Sequence, residues 1–283
     1  MWPTGSQNIW LTPALGPPQL RYRCAMSRHP FQDAIEGFVE SMRDPILLYD
    51  TAVEVAQQLT AKKTSGIGGG LYVETRAMHR AIAIGSVAAW EAVTEDLLRT
   101  GATHLQTTRP GAPNLLSWWP PEKMENPGPW QVRKAYWQYF GFDPQQVWRF
   151  SFGARGNEVG HSGTIWSPFY DPRLAEQTIE GDEAAKWLAS LMKLRHGNVH
   201  ADPTRNFKNK PEPGVASAGN SSRWGVAQHH AQNAIGVISQ LTLSTLGGLA
   251  NHLEIPGTLH QSKAVSAWKV DKLHLWNLGQ WPT

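Results

Sequence analysis

A cluster of residues with acid–base and phosphate-binding side chains lies in the C-terminal half of the chain. Its members are Arg195, His196, Asn198, His200 and Asp202. Histidine exchanges a proton near neutral pH, and arginine presents a planar fork of charged donors that suits phosphate oxygens. Together they suit attack of a hydroxyl on a phosphodiester, in which negative charge grows on phosphorus. In RNA the 2′-hydroxyl is a built-in nucleophile, so we expect neither a metal nor a cofactor.

A predicted helix, beginning at about Asp182, leads into this cluster. Its inward residues recur at helical spacing and are Ala184, Leu188, Leu191 and Leu194. If the helix continued, Arg195 and His200 would lie about 140° apart around its axis. Gly197 is a typical helix-ending residue. We therefore expect the chain to turn at Gly197, which would let both side chains converge.

Two other interpretations of the same cluster are open. An arginine and a histidine at a helix C-terminus also bind free carbonyls and complement the helix dipole. His196 and His200 are four residues apart, as in zinc-binding helices, and Asp202 is nearby. However, Gly197 stands where a zinc-protease HExxH motif has its glutamate, so we expect no metal here.

An earlier helix, predicted over about Glu74 to Arg99, carries acidic residues. Its small or apolar residues at spacings of three and four are Ala77, Ala81, Ile84 and Ala88. We expect this stripe to let a neighbouring helix approach closely. The same spacing continues to Glu91 and Glu95, which need partners if they are buried. Alternatively, the stripe reaches solvent as the helix emerges.

The rest of the chain divides into helical and irregular stretches. We predict an N-terminal arm over 1–30, a single helical domain over 31–255 and a C-terminal tail over 256–283. Within the domain, 101–130 is a Pro/Trp-rich insertion and 204–222 a polar loop. Further helices are predicted over about 35–42, from the Asp44-Pro45 pair to 59, over 131–140, after the Asp143-Pro144 cap, and over 223–252. No run shows strand alternation, so the predicted fold class is all-α.

Composition sets broad limits on function. The chain has 283 residues, 41% hydrophobic and 17% charged, which favours a globular fold. Its net charge of +3 permits nucleic-acid binding without requiring it. Cys24 is the only cysteine, so an intramolecular disulfide is excluded. No apolar stretch reaches the roughly 18–20 residues of a membrane span, and no signal peptide is visible, so we expect a cytoplasmic protein without membrane contact.

Tryptophan and proline are unusually frequent, with 14 and 20 copies. Several lie in the predicted insertion, including Trp118, Trp119 and Trp130. Tryptophans in such connections pin a loop to the body by burying large area. The alternative is a platform on which nucleic-acid bases stack.

Arg195, the polar His196 and His200 resemble the R-x4-6-H signature of the HEPN superfamily. The segment Ala89 to Leu98 resembles the acidic first core helix of its RiboL-PSP-HEPN-like branch. The resemblance covers roughly Glu74 to His252 and leaves both ends and the insertion unaccounted for. It implies a HEPN-like helical bundle and a homodimer whose two motifs face each other across a basic cleft. It also implies an endoribonuclease that leaves a 2′,3′-cyclic phosphate, in toxin–antitoxin or phage-defence systems, with an antitoxin or regulatory protein as a further partner.

The resemblance also implies roles for individual residues. Arg195 would orient and stabilise the scissile phosphate, and His200 would act as general acid and base. His196 would help position the 2′-hydroxyl or the phosphate. Glu91 would orient Arg195 or His200, and Glu95 and Asn198 are further supporting candidates.

Two functions of other classes fit the same sequence. One is a non-catalytic HEPN-like module that binds RNA, a nucleotide or a protein. The other is a structural or adaptor protein that docks a partner through its Trp-rich segments, in which case Trp118, Trp119 or Trp130 would matter and His200 would not.

Overall fold

The computed structural model describes residues 29–64, 71–109, 128–151, 178–199, 212, 214–216 and 225–255. Its helices are α1 (Gln32–Thr64), α2 (Leu71–Thr108), α3 (Pro129–Phe140), α4 (Gly181–Val199) and α5 (Gln228–His252), with a 3-10 turn at Pro144–Gln146 and two strands, β1 (Arg149–Ser151) and β2 (Thr178–Glu180). The predicted all-α class is confirmed. Within the described ranges, none of the helices has the combined length and apolarity that crossing a membrane would require.

Helix α2 is the centre of the structure and packs against each of the other four helices. Buried residues of α2 at spacings of three and four form two adjacent rows, Ile82, Ser86, Trp90, Val93 and Leu97 in one, and Thr94, Leu98, Ala102 and Leu105 in the other. Residues spaced by three or four lie on one face of a helix, so the two rows form a continuous buried stripe. Helices α4 and α5, which follow much later in the chain, cover parts of it.

The predicted stripe of small residues on α2 is on the wrong face. Ala77, Ala81 and Ala88 are exposed and Ile84 is only half-buried. The buried stripe is rotated relative to it by about one residue, and it contains larger side chains such as Trp90. Both faces of this helix are rich in apolar residues, so periodicity alone does not distinguish the core face from the solvent face.

Helix α1 is continuous where the sequence predicted two helices. Pro45 lies inside it and removes one backbone hydrogen bond, at a cost of roughly 3 kcal/mol. Met42, Ile46 and Tyr49 are buried on either side, and burial of each large side chain stabilises by about 1.5–3 kcal/mol. A Cβ atom at Gly85 of α2 would lie 2.9 Å from Pro45 Cγ, so the glycine makes room for the proline ring.

Helix α2 also extends further than predicted. Residues 101–108 were assigned to the irregular insertion but are helical, because Ala102 and Leu105 continue the buried stripe. Gly101 lies inside this helix and does not end it. A Cβ atom at this position would lie 2.8 Å from Phe140 Cζ, so the glycine makes room for the phenylalanine ring. Most of the insertion, the loop 204–222 and both predicted terminal segments lie largely or wholly outside the described residues.

A short antiparallel sheet was not predicted. Arg149 pairs with Glu180 and Ser151 with Thr178. Strands of three residues are too short for an alternating pattern to show in a sequence. The neighbouring cap was predicted correctly: the Asp143 side chain accepts from the Gln145 backbone N–H at 3.0 Å and begins the 3-10 turn.

Trp148 fixes this part of the chain to the helical core. Its side chain is 1% exposed, and its Nε1 donates to Thr245 Oγ1 of α5 at 2.9 Å. Its ring also meets the edge of Trp90, with centroids 6.1 Å apart. The Trp148 carbonyl accepts from the backbone N–H of Gly181, the first residue of α4. The start of α4 is therefore positioned by a buried tryptophan that also contacts α2 and α5.

Candidate functional site

Helix α4 presents Arg195 at the border of its buried face. The helix begins with Asp182 and Glu183, which complement the positive end of its dipole. The four predicted inward residues are all buried, which confirms that prediction: Ala184, Leu188, Leu191 and Leu194. Arg195 follows the last of them, so its side chain leaves the core at the flank of the helix and is 24% exposed.

Arg195 pairs with Glu91 of α2. Arg195 Nη1 donates to Glu91 Oε1 at 2.5 Å, and the Glu91 side chain is only 15% exposed. The two residues are separated by 104 positions in sequence. Glu91 follows the buried Trp90, so it lies at the edge of the α2 core stripe that faces α4. The structure therefore brings together two of the residues proposed for the site from sequence.

Burial dominates the electrostatics of this pair. It raises the pKa of Glu91; the charge of Arg195 opposes that rise, and the charge of Glu95 adds to it. The pKa of Glu95, one turn further along α2, is also raised by burial, with Arg99 opposing and Asp96 adding. The charge of Arg195 thus offsets only part of the cost of burying the Glu91 carboxylate. Perturbed ionisable groups of this kind are enriched at functional sites, although structural ion pairs show them too.

The remaining proposed residues are described only in part. His196 is half-buried on α4, next to Arg195, and takes part in at least one polar or ring interaction. Asn198 belongs to the helix, but its side chain lies outside what the structure describes, and so does all of His200. The structure therefore groups Arg195 with Glu91 and leaves the position of His200 a prediction.

The predicted turn at Gly197 is wrong. Helix α4 continues through Gly197 to Val199. Glycine inside a helix costs about 1 kcal/mol relative to alanine. Burial of Leu191 and Leu194 in the preceding turns stabilises by about 1.5–3 kcal/mol each, which is enough to keep the helix intact. No turn at Gly197 therefore brings Arg195 and His200 of one chain together, and any change of direction comes after Val199.

A metal-binding alternative gains no support from the described part of the chain. Among these residues, no group of three or more histidine, cysteine, aspartate or glutamate side chains is placed to hold a metal ion. Of the three ligands considered from sequence, His200 and Asp202 lie outside the described residues. The predicted absence of a metal thus stays a prediction.

Two features near the site were missed from the sequence. Arg133 of α3 forms a two-bond ion pair with Asp143, through Nε to Oδ1 at 2.9 Å and Nη2 to Oδ2 at 2.6 Å. Tyr136 Oη donates to the Thr94 carbonyl of α2 at 3.2 Å, three residues after Glu91. The Asp143-Pro144 cap was a signal for the first feature, but nothing in the sequence indicated that Arg133 would reach it.

Comparisons with known proteins return no relative. No family model matches the chain, and neither a curated protein nor a solved structure matches it. The case for a function consequently rests on the residues and their geometry.

Proposed function

We propose that the chain is a metal-independent endoribonuclease whose site contains Arg195 and His200, with Glu91 as the residue that positions Arg195. The observation that carries this proposal is the half-buried pair between Arg195 Nη1 and Glu91 Oε1. A buried carboxylate restricts the orientation of the guanidinium group, and a fixed orientation is what binding of a transferring phosphate requires. The family resemblance given above supports the same assignment.

The proposed reaction breaks one phosphodiester bond and forms another. His200 removes the proton of the ribose 2′-hydroxyl, and the 2′-oxygen attacks phosphorus. The bond from phosphorus to the 5′-oxygen breaks, and that oxygen receives a proton from the protonated His200. The products are a 2′,3′-cyclic phosphate and a 5′-hydroxyl. Arg195 stabilises the negative charge on the phosphate oxygens during the step, and His196 helps to hold the phosphate or the 2′-hydroxyl.

The proposed site is completed by a second copy of the chain. Helix α4 stays helical through Gly197, and a continuing helix would place Arg195 and His200 about 140° apart. In a homodimer with its two motifs facing each other, arginine and histidine of different copies can approach one phosphate. An effector of a toxin–antitoxin or defence system, restrained by an antitoxin or regulatory protein, is the biological role that the resemblance implies.

One observation favours the second candidate, a non-catalytic RNA-, nucleotide- or protein-binding module. The uninterrupted helix at Gly197 removes the turn that was expected to join Arg195 and His200 within one chain. If no dimer supplies the missing group, Arg195 would still bind phosphate but no proton would be transferred.

Alanine variants separate the two candidates. Arg195→Ala and His200→Ala are expected to lower RNA cleavage by about 100- to 10,000-fold, the usual range for a phosphate-stabilising or acid–base group. The matched control is Arg133→Ala, which removes an equally half-buried arginine from the Asp143 pair. Cleavage that is lost equally in all three variants, or that survives Arg195→Ala, would overturn the assignment of the site.

A further inference from the structure

Helix α3 presents two tryptophans to solvent. Trp130 is 68% exposed and Trp137 is 62% exposed, and of the large hydrophobic residues that the structure describes only Leu47 joins them above half exposure. Tryptophan carries the largest apolar surface of any side chain and is mostly buried in folded proteins. Neither residue therefore contributes much to the stability of the core.

The two tryptophans share one face with a lysine. At 100° per residue, Trp130, Lys134 and Trp137 fall within a sector of about 60°. The buried residues of α3 lie on the opposite side and are Val132, Ala135, Tyr136 and Tyr139. We call the set Trp130, Lys134 and Trp137, with Gln131 and Gln138 at its edge, the α3 face. All five of these residues are exposed.

The chemistry of the α3 face suits a single-stranded polyanion. Lys134 lies on the α3 face, and helix α3 contains no acidic residue. Asp143, the acidic side chain bound to this helix, is occupied by its two bonds to Arg133. Bases stack on aromatic rings and a cation between the rings attracts the phosphates, a combination typical of single-strand binding.

The spacing also fits a strand of stacked bases. Seven residues of helix separate the Cα atoms of the two tryptophans by about 10.5 Å along the axis. This is about three steps of the ~3.4 Å rise of a stacked strand. The two rings can therefore contact bases about three nucleotides apart, with the ammonium group of Lys134 between them.

The α3 face has a defined position relative to the candidate site. Tyr136 is fully buried and binds the Thr94 carbonyl of α2 at 3.2 Å. Thr94 is three residues, or about 4.5 Å along the helix axis, from Glu91. Helix α3 and the Arg195–Glu91 pair are thus attached to the same helix, and the α3 face lies on the side of α3 away from α2.

We infer that the α3 face binds single-stranded RNA by stacking of bases on Trp130 and Trp137. The inference rests on the proposed function for the identity of the nucleic acid. It also adds to that function, because it names an unpaired strand as the substrate and assigns binding to residues outside the catalytic group.

The test is binding of a fluorescein-labelled oligouridine with methylated ribose 2′-oxygens, measured by fluorescence anisotropy on the full chain. This probe cannot be cleaved by 2′-hydroxyl attack, so binding is separated from catalysis. Trp130→Ala and Trp137→Ala are each expected to weaken binding by about 5- to 150-fold, the usual loss per stacked base. Trp130→Phe and Trp137→Phe keep a ring and should restore most of the affinity. Lys134→Gln should reduce the salt dependence of binding by about 0.7 in the log–log slope.

Leu47→Ala is the matched control, because Leu47 of α1 is 52% exposed and its loss removes apolar surface elsewhere. Its affinity should equal that of the wild type. Wild-type affinity in the Trp130→Ala/Trp137→Ala double variant overturns the inference. Failure of the wild type to bind the strand also overturns it.

The outcomes for this inference and for the proposed function can be told apart. If Arg195→Ala loses cleavage while the tryptophan variants bind normally, the α3 face is overturned and the ribonuclease assignment stands. If the tryptophan variants lose binding while the wild type cleaves no RNA, the inference about the α3 face stands and the ribonuclease assignment fails.

Discussion

The part of the molecule that the structure describes contains two half-buried arginine–carboxylate pairs that differ in geometry. Arg133 meets Asp143 with two parallel hydrogen bonds, and Asp143 also accepts from the Gln145 backbone N–H. Arg195 meets Glu91 through one guanidinium nitrogen and one carboxylate oxygen. The first pair joins residues ten positions apart, and the second joins residues 104 positions apart.

The pKa shifts of the two carboxylates have opposite signs. Burial would raise the pKa of Asp143, but the hydrogen bonds from Arg133 and Gln145 outweigh it and the pKa is lowered. Burial raises the pKa of Glu91, and Arg195 only partly offsets the rise. The charged form of Asp143 is thus stabilised by its partners, whereas burial disfavours the charged form of Glu91 and Arg195 offsets this only in part. Incomplete compensation is expected where a pair serves function more than stability.

The largest difference between the pairs should appear when each arginine is replaced by lysine. Lysine keeps the charge but loses the planar fork that binds phosphate oxygens. Arg195→Lys is expected to lower the initial rate of RNA cleavage by about 10- to 100-fold, which is the loss of about 1.4–2.7 kcal/mol of transition-state stabilisation. Arg133→Lys should change the rate by less than about twofold, since neither Arg133 nor Asp143 belongs to the proposed site. Equal losses of cleavage rate in both variants would contradict the different roles assigned to the two arginines.

Stability should show the opposite ranking. Asp143→Ala removes a helix cap and a two-bond ion pair and should lower the free energy of unfolding by about 1–3 kcal/mol. Glu91→Gln keeps an oxygen that accepts from Arg195 and removes a poorly compensated charge, so the change should stay below about 1 kcal/mol. Urea denaturation measures both. Glu183→Ala is the control for a surface pair, because Glu183 and its partner Lys186 are each 58% exposed.

The pH dependence of these effects sharpens the comparison further. The pKa of Glu91 is raised above its ordinary 4.5. The carboxyl group therefore contributes most to the free energy of unfolding below that pH, and this contribution is lost as pH rises through the raised pKa. The free energy of unfolding of Glu91→Gln should therefore rise relative to that of the wild type as pH increases from acid to neutral.

Asp143 should behave in reverse. The pKa of Asp143 is lowered below the ordinary 3.8. Its carboxylate therefore contributes to the free energy of unfolding above that pH, and this contribution disappears as pH falls through the lowered pKa. The stability difference between wild type and Asp143→Asn should shrink in strong acid. Urea titrations at several pH values give both curves, and curves of the same sign would contradict the assigned shifts.

Sequence patterns predicted the features that depend on local spacing. The buried leucines of α4 and the Asp143 cap could be read directly, because helical period and capping chemistry are local properties. The start of the sheet at Arg149 and the continuity of α1 at Pro45 could not. In both cases tertiary contacts decide, such as the fit of the Pro45 ring against Gly85.

The candidate site shows the same division. Only the family resemblance linked Glu91 to Arg195 or His200, because the pairing depends on how α4 crosses α2, which no local pattern encodes. The turn predicted at Gly197 failed because a local preference of about 1 kcal/mol was given more weight than the burial of neighbouring leucines. The exposed Trp137 was missed, although its spacing of seven from Trp130 was a readable helical signal.

The most direct test of the central claim is the chemistry of the RNA ends that the wild-type protein produces in the presence of EDTA. Attack by the 2′-hydroxyl with Arg195 and His200 predicts 2′,3′-cyclic phosphate and 5′-hydroxyl ends, formed at the same rate with and without the chelator. Activity that disappears with EDTA, or products with 3′-hydroxyl and 5′-phosphate ends, would contradict the metal-free mechanism.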